Sequence, residues 1–321
     1  MKIGIVSAAF AQRSLKDTLR YYRELGVDAI EIGCGGYPGN AHCHAEELLS
    51  DPQKMREFKD VIRDSGCTIS AFACHGNPIH PDKEAARRDH ETFLRTLEMA
   101  SEMEVDTVLT FSGCPGDGEN SRLPNWVTCP WPEDYLKILD YQWNEKLIPY
   151  WEKAARTALE HGVKHIALEM HPGFCVYNPE TLLRLRQAAG AVIGANFDPS
   201  HLFWQGIDPV YAIRALKGAI YYVHAKDCRV NEANAKTNGV LDTKHYGNEA
   251  ERAWIFRTVG YGHPETVWRD IFSELRMAGY DGVISLEHED SLMSLEEGIE
   301  KAVSLLQKLV IRQPAGEMWW A

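Results

Sequence analysis

The sequence has eight cysteines but no Cys-x-x-Cys pair. Cys34, Cys43, Cys67, Cys74, Cys114, Cys129, Cys175 and Cys228 are scattered along 321 residues. That scatter excludes a zinc-finger spacing and a compact disulfide scaffold. It reads as free thiols in a reducing cytosol, so a cytoplasmic location is expected. No apolar run approaches the ~20 residues of a membrane helix, and no membrane partner is expected. The stretch from Met1 to Phe10 is too short and lacks the charged start of a signal peptide, so it reads as a first strand. Basic clusters are missing too. With a net charge of -12, a nucleic-acid partner is disfavoured. There is no Walker loop and no serine nucleophile elbow. Gly33-Cys34-Gly35-Gly36 with Gly39 imitates a dinucleotide loop, but no helix start or acidic residue follows where such a site needs them, so it reads as a turn. No Pro/Ser-rich linker divides the chain, which suggests one domain over residues 1–321.

What is present is an alternation. Hydrophobic residues make up 45% and charged residues 25% of the chain, ordinary values for a globular protein. Eight short apolar, β-branched runs are separated by helical patterns. The first four run from Lys2 to Ser7, Ala29 to Ile32, Thr68 to Ala73 and Thr107 to Phe111. Helices are expected from Ser14 to Leu25, Pro52 to Ser65, Asp82 to Glu104 and Pro132 to His161. Others begin near Pro179, Asp208 and Pro264, and a last one covers Ser294 to Leu309. Ser14 is a natural N-cap, and Gly26, Gly66 and Gly162 are natural stops. Eight strand–helix units at this length predict an α/β fold, a TIM (β/α)8 barrel; an open doubly wound sheet is the alternative. Two connections, Ser112 to Trp131 and Arg229 to His263, are longer than the fold requires. Each reads equally well as an active-face lid or as a simple insertion. Met318-Trp319-Trp320 is expected to pack on the barrel or on a neighbouring subunit, so a homo-oligomer or partner subunit is an open expectation.

The remaining four strands carry the chemistry. His165-Ile166-Ala167-Leu168-Glu169, Ile193-Gly194-Ala195-Asn196-Phe197-Asp198, Ile220-Tyr221-Tyr222-Val223-His224 and Val283-Ile284-Ser285-Leu286-Glu287 each end in a metal-binding side chain. Singly, Asp198 is a helix cap and His224 a core histidine. Together, three carboxylates and an imidazole at equivalent strand ends would repel one another without a cation. Glu169, Asp198, His224 and Glu287 are therefore the predicted ligands of one divalent metal. Mn²⁺, Mg²⁺, Co²⁺ and Zn²⁺ all suit the set.

The chain resembles the xylose-isomerase-like family of sugar isomerases and epimerases, to which endonuclease IV-like AP endonucleases are related. The resemblance rests on Leu168-Glu169-Met170-His171-Pro172, Asn196-Phe197-Asp198-Pro199-Ser200-His201, Val223-His224-Ala225-Lys226-Asp227, Gly260-Tyr261-Gly262 and Ser285-Leu286-Glu287-His288. It also takes in Cys74-His75-Gly76-Asn77-Pro78. It implies a TIM barrel whose four matching residues hold a divalent ion, often Mn²⁺. It further implies Glu169 and Glu287 as acid–base groups on opposite faces of a sugar. The expected function is metal-dependent sugar, keto-sugar or polyol isomerisation or epimerisation by proton abstraction beside a chelated carbonyl. A hydride shift needs a second metal and more carboxylates. A β-eliminating lyase acting on 3-keto-glycosides is the alternative. An AP endonuclease or a non-catalytic sugar-binding protein ranks below both.

His171, two residues past Glu169, is a candidate catalytic base. His75, His201, Lys226 and Arg257 are candidate substrate contacts, each with a structural hydrogen bond as the competing reading. Trp126, Trp131 and Trp254 are candidates for a wall on which a sugar stacks, with loop packing as their plainer role. The expected partner is a small-molecule sugar. With only Lys226 and Arg257 as cations, a free or keto sugar is favoured over a sugar phosphate.

Overall fold

Eight of the apolar runs form strands because both of their faces are covered, one by helices and one by the opposite barrel wall. In a computed structural model, described here for residues 1–320, these are β1 (Lys2–Val6), β2 (Ala29–Gly33), β3 (Thr68–Ala73), β4 (Thr107–Thr110), β5 (His165–Glu169), β6 (Ile193–Phe197), β7 (Ile220–Ala225) and β10 (Val283–Leu286). They close into a parallel barrel in the order β1-β10-β7-β6-β5-β4-β3-β2. Lys2 to Ile5 run in register with Val283 to Leu286, which seals the barrel. Its interior is filled by Ala71, Ala73, Leu109, Ala167 and Tyr222. Trp151, Trp268, Phe72 and Phe197 are among the largest side chains buried in the molecule.

The helices are α1 (Leu15–Glu24), α2 (Ala45–Ser50), α3 (Pro52–Ser65), α4 (Lys83–Glu102), α5 (Asp134–Asp140), α6 (Ile148–Glu160), α7 (Pro179–Ala189), α8 (Pro199–Trp204), α9 (Pro209–Ala215), α10 (Glu232–Asn238), α11 (Glu265–Met277) and α12 (Leu295–Leu309). Ser14 caps α1 through the Asp17 amide, as its sequence suggests. The single helix expected from Pro132 to His161 is broken. Tyr141–Leu147 is a wide π-turn segment between α5 and α6. Pro149, just inside α6, lacks the N–H that would continue the ordinary ladder. Gln142 lies in the widened stretch, and its side-chain nitrogen is within 3.2 Å of the Pro115, Gly116 and Asn125 carbonyls.

The two long connections behave differently. Residues 112–131 have no regular structure. Their base is pinned by Asn77, whose amide group bonds both the N–H and the carbonyl of Cys114. The expected loop 229–263 instead contains α10 and half of an antiparallel ribbon, β8 (Asp227–Val230) against β9 (Trp254–Arg257). Asp227 anchors this ribbon. One carboxylate oxygen accepts from the Gly260, Gly262 and His263 amides and from Trp268 Nε1 at 2.9–3.2 Å. A side chain at Gly262 would collide with that carboxylate.

The Gly33–Gly39 stretch is a turn, as its sequence suggests. Gly36 has φ +70, and a Cβ there would strike the His75 carbonyl, so only glycine fits. The C-terminal expectation of packing on the barrel is not met: Trp319 is 88% and Trp320 69% exposed. All eight thiols are free. No helix among the described residues is long and apolar enough to cross a membrane.

Candidate metal centre at the barrel mouth

The register of parallel strands brings the ends of β5, β6, β7 and β10 to one rim. Ligand atoms of Glu169, Asp198, His224 and Glu287 all lie within 4.8 Å of one another. All except Glu287, which is partly exposed, are buried. Asp198 fills both of its sequence roles. Its Oδ1 caps α8 by accepting from the Ser200 amide at 2.8 Å, while Oδ2 is buried without a hydrogen-bond donor. Glu287 Oε2 is likewise without one. Two buried carboxylate oxygens that make no hydrogen bond, with the ion pairs of Lys226 and His224 beside them, are what a hard divalent cation would satisfy. The set therefore fits such an ion.

The surrounding groups fix these ligands. Glu169 Oε1 is 2.9 Å from His201 Nε2, and Oε2 is 3.1 Å from His75 Nε2. Burial alone would raise the Glu169 pKa; the hydrogen bonds from His201 and His75 outweigh it and hold the carboxyl well below the usual range. Burial opposes ionisation of Glu287 as well, but the Lys226 ammonium and His224 pull its pKa down. Lys226 Nζ sits 2.9 Å from Glu287, 3.2 Å from Asp198 and 3.2 Å from Glu289.

His224 lies between two carboxylates, Nδ1 at 3.1 Å from Glu287 and Nε2 at 3.0 Å from Glu31. Burial lowers its pKa, yet Glu31 and Glu287 together raise it well above the ordinary imidazole value. Glu31 was absent from the sequence-based set. It is a carboxylate inside the apolar run Ala29-Ile30-Glu31-Ile32, only 1% exposed, and it also accepts from Ser285 Oγ at 2.7 Å. The signal was a charge inside a buried strand, which burial forbids without a partner. Glu289, two residues beyond Glu287, was missed as well.

A cavity of about 410 Å³ opens over this cluster. His75, His171 and Lys226 line it, and the aromatic wall is Tyr37, Phe111 and Phe174. The Phe111 and Phe174 rings stack at 4.2 Å. The three tryptophans proposed for that wall lie elsewhere. Trp131 is 74% exposed, Trp126 faces a separate cavity, and Trp254 is stacked on Trp204 at 4.6 Å. None projects over the metal ligands, because the loop carrying the first two is tied down at its base. His171 donates from Nδ1 to the Pro172 carbonyl at 2.6 Å, which leaves Nε2 as an acceptor. Burial, helped by nearby His201, pushes its pKa down to about 3, so the ring is neutral at pH 7. His201 is buried behind Glu169 and in line with Asp198, in α8 rather than in a loop. Arg257 is not brought to the cavity. Its guanidinium pairs with buried Asp290 at 3.1 Å, and it is not among the residues lining the cavity.

Comparison with known proteins agrees with this architecture. The chain is 39% identical over 312 residues to the uncharacterized protein YfiH of Bacillus subtilis, covering 97% of this chain and 99% of that one. The solved structure of the probable 3-DHS dehydratase from Bacillus anthracis superposes with a TM-score of 0.65 at 17% identity, over 96% of this chain and 99% of that one. That of the 3-keto-D-glucoside 4-epimerase from E. coli gives 0.65 at 15% identity, over 96% of this chain and 99% of that one. The family described as xylose isomerase-like TIM barrel matches residues 19–309, and the chain belongs to that family.

Proposed function

We propose that this chain is a divalent-metal-dependent isomerase or epimerase acting on a sugar, keto-sugar or polyol by proton transfer beside a carbonyl. The observation that carries the reading is the pair Glu169 and Glu287, two ionised carboxylates in one buried cluster beneath an aromatic wall. They come from β5 and β10, with β6 and β7 between them, so they approach a bound ring from two sides. A cation held by Glu169, Asp198, His224 and Glu287 supplies Lewis-acid polarisation of a carbonyl and its neighbouring hydroxyl. Mn²⁺ is the preferred ion, with Mg²⁺, Co²⁺ and Zn²⁺ as the other choices for this donor set.

The protein's own groups do the rest. Glu287, which lines the cavity, takes the proton from the carbon beside the carbonyl. The Lys226 ammonium, 2.9 Å from Glu287 Oε2, offsets negative charge as it develops. Glu169, held by His75 and His201, takes up a proton from solvent and delivers it on the opposite side, while Glu287 releases the proton it removed. Neutral His171 accepts a hydrogen bond from a substrate hydroxyl. The Phe111–Phe174 stack covers the apolar face of the ring and excludes water.

A second reading is elimination, in which the same proton removal expels water or an alcohol from the next carbon. A relative named as a dehydratase shares the fold. Deuterium exchange separates the two. Metal-loaded protein is incubated in D₂O with keto-sugars and 3-keto-glycosides and followed by NMR. Exchange with recovery of sugar is expected, lost in Glu287→Gln. Release of the leaving group establishes the lyase, and no exchange with any compound overturns proton transfer.

A further inference from the structure

The cavity over the metal ligands does not end at the barrel rim. A second cavity of about 450 Å³ is lined by His171, Tyr246, Ile255, Phe256, Glu289 and Ser291. It shares His171 and Glu289 with the first, so the two adjoin across those side chains. Each compartment lies in the ~300–1,000 Å³ range of small-molecule sites. The ribbon and its connection give the outer compartment Tyr246, Ile255 and Phe256, and the segments after β5 and β10 give it His171, Glu289 and Ser291.

Its floor is aromatic. The Tyr246 and Phe256 rings lie nearly parallel, 5.9 Å apart at 18°. Phe256 meets the His201 ring at 5.4 Å, edge to face. An apolar surface therefore runs from the histidine behind Glu169 out to Tyr246, which is 52% exposed. The charges argue for a neutral occupant. Lys226 is already shared among three carboxylates. Arg257 is turned to Asp290. Arg252 is buried beneath Tyr246 and Trp254, with its Nε on a backbone carbonyl. Among the described residues, no unengaged cation lines this compartment, and Glu289 would repel a phosphate or carboxylate. Glu289 and Ser291 place acceptor oxygens on the lining, where hydroxyls of a neutral ring can donate to them.

We propose that the outer compartment binds the glycosidic substituent of a neutral glycoside: a flat sugar or aryl ring lying on Tyr246 and Phe256 while the reacting sugar occupies the barrel mouth. The proposal rests on the reading of the inner cavity as a sugar site and adds that the substrate has two rings. Methyl glucopyranoside, phenyl glucopyranoside and cellobiose serve as unreactive probes. Their affinities are read by tryptophan fluorescence, since Trp254 lies 5.3 Å from Phe256. The two-ring probes are expected to bind about tenfold tighter than the methyl glycoside, the scale of a good ring stack. Tyr246→Ala, at a half-exposed position, removes that preference and leaves the methyl glycoside unaffected. Ser291→Trp, which fills the compartment from its exposed edge, does the same by blocking it.

Equal affinities for all three probes in the unmodified protein, or a preference that survives both substitutions, overturn the proposal. Deuterium exchange into a free keto-sugar with no preference for glycosides overturns it alone and leaves the sugar chemistry standing. A two-ring preference without exchange upholds the compartment and removes the catalytic reading instead.

Discussion

At the scale of single residues, Glu31 shows what strand-end reasoning reaches and what it misses. Glu169, Asp198, His224 and Glu287 were legible because each closes an apolar run, where a charge is out of place unless something binds it. Glu31 lies one pleat inside β2, paired in register with Val6 and Ala71. In one dimension the apolar run marks that charge as out of place but does not say where its carboxylate points. Only barrel closure aims it across the interior at His224, 193 residues away in sequence. With Glu31 on Nε2, the imidazole presents Nδ1 to the site, the arrangement that orients metal-bound histidines generally. Glu31→Gln keeps the shape and removes the charge. Its Mn²⁺ affinity, measured by titration calorimetry, should fall ~10–100-fold, and its thermal stability in chelator should fall too, because the buried His224 loses its partner. Unchanged affinity would show that Glu31 does not orient His224.

At the scale of elements, the ribbon is the piece the sequence concealed. Trp254-Ile255-Phe256-Arg257 was seen as aromatic content in a loop, because its partner β8 lies directly after β7 and reads as the tail of that strand. Their pairing spans the α10 excursion and depends on carboxylate anchors rather than on periodicity. Asp227 is one anchor. Asp290 is the other: it accepts from the Thr258 and Leu292 amides at 2.8 and 2.9 Å and from Arg257. Burial works against the Asp290 charge, but these donors outweigh it and its pKa is lowered. A carboxyl with a depressed folded pKa stabilises fully above its unfolded value, ~3.9, and loses that contribution as the pH falls through the folded value. Asp290→Asn should therefore cost ~1–3 kcal/mol at pH 7. The gap between variant and parent in urea denaturation should narrow below about pH 4. A gap of constant size down to pH 2.5 would show that the anchor does not act through its charge. Short α8 is missing from the expected helices, although Asp198-Pro199 is a cap followed by a helix-starting proline. Asp198 was read both as a cap and as a metal ligand, and one side chain serves both.

At the scale of the whole molecule, the barrel was legible because its eight strands are covered on both faces and so read as uninterrupted apolar runs. The same closure concentrates charge. Glu31, Glu169, Asp198 and Glu287 meet at one mouth, and the cations facing them are the Lys226 ammonium and the His224 imidazolium. In an acidic chain of net charge -12, no distant surface compensates for this. The cluster depends on local positive charge, and an ion bound only by the native state adds to its stability by mass action. At a hundredfold excess over Kd the gain is ~2.7 kcal/mol, or a rise of several degrees in Tm, since ~1 kcal/mol moves a chain of this size by about 2–4 °C. Scanning calorimetry of the chelated protein against Mn²⁺, Mg²⁺, Co²⁺ and Zn²⁺ should show that rise with at least one ion, reversed by added chelator. Glu287→Gln should abolish the rise without lowering the Tm of the chelated protein, because it removes one of the mutually repelling carboxylates. Arg257→Gln, away from the cluster, should keep the ion-dependent rise even if its baseline falls. If none of the four ions moves the Tm, the carboxylates are held by Lys226 and His224 alone, and the chemistry at this mouth must proceed without a metal.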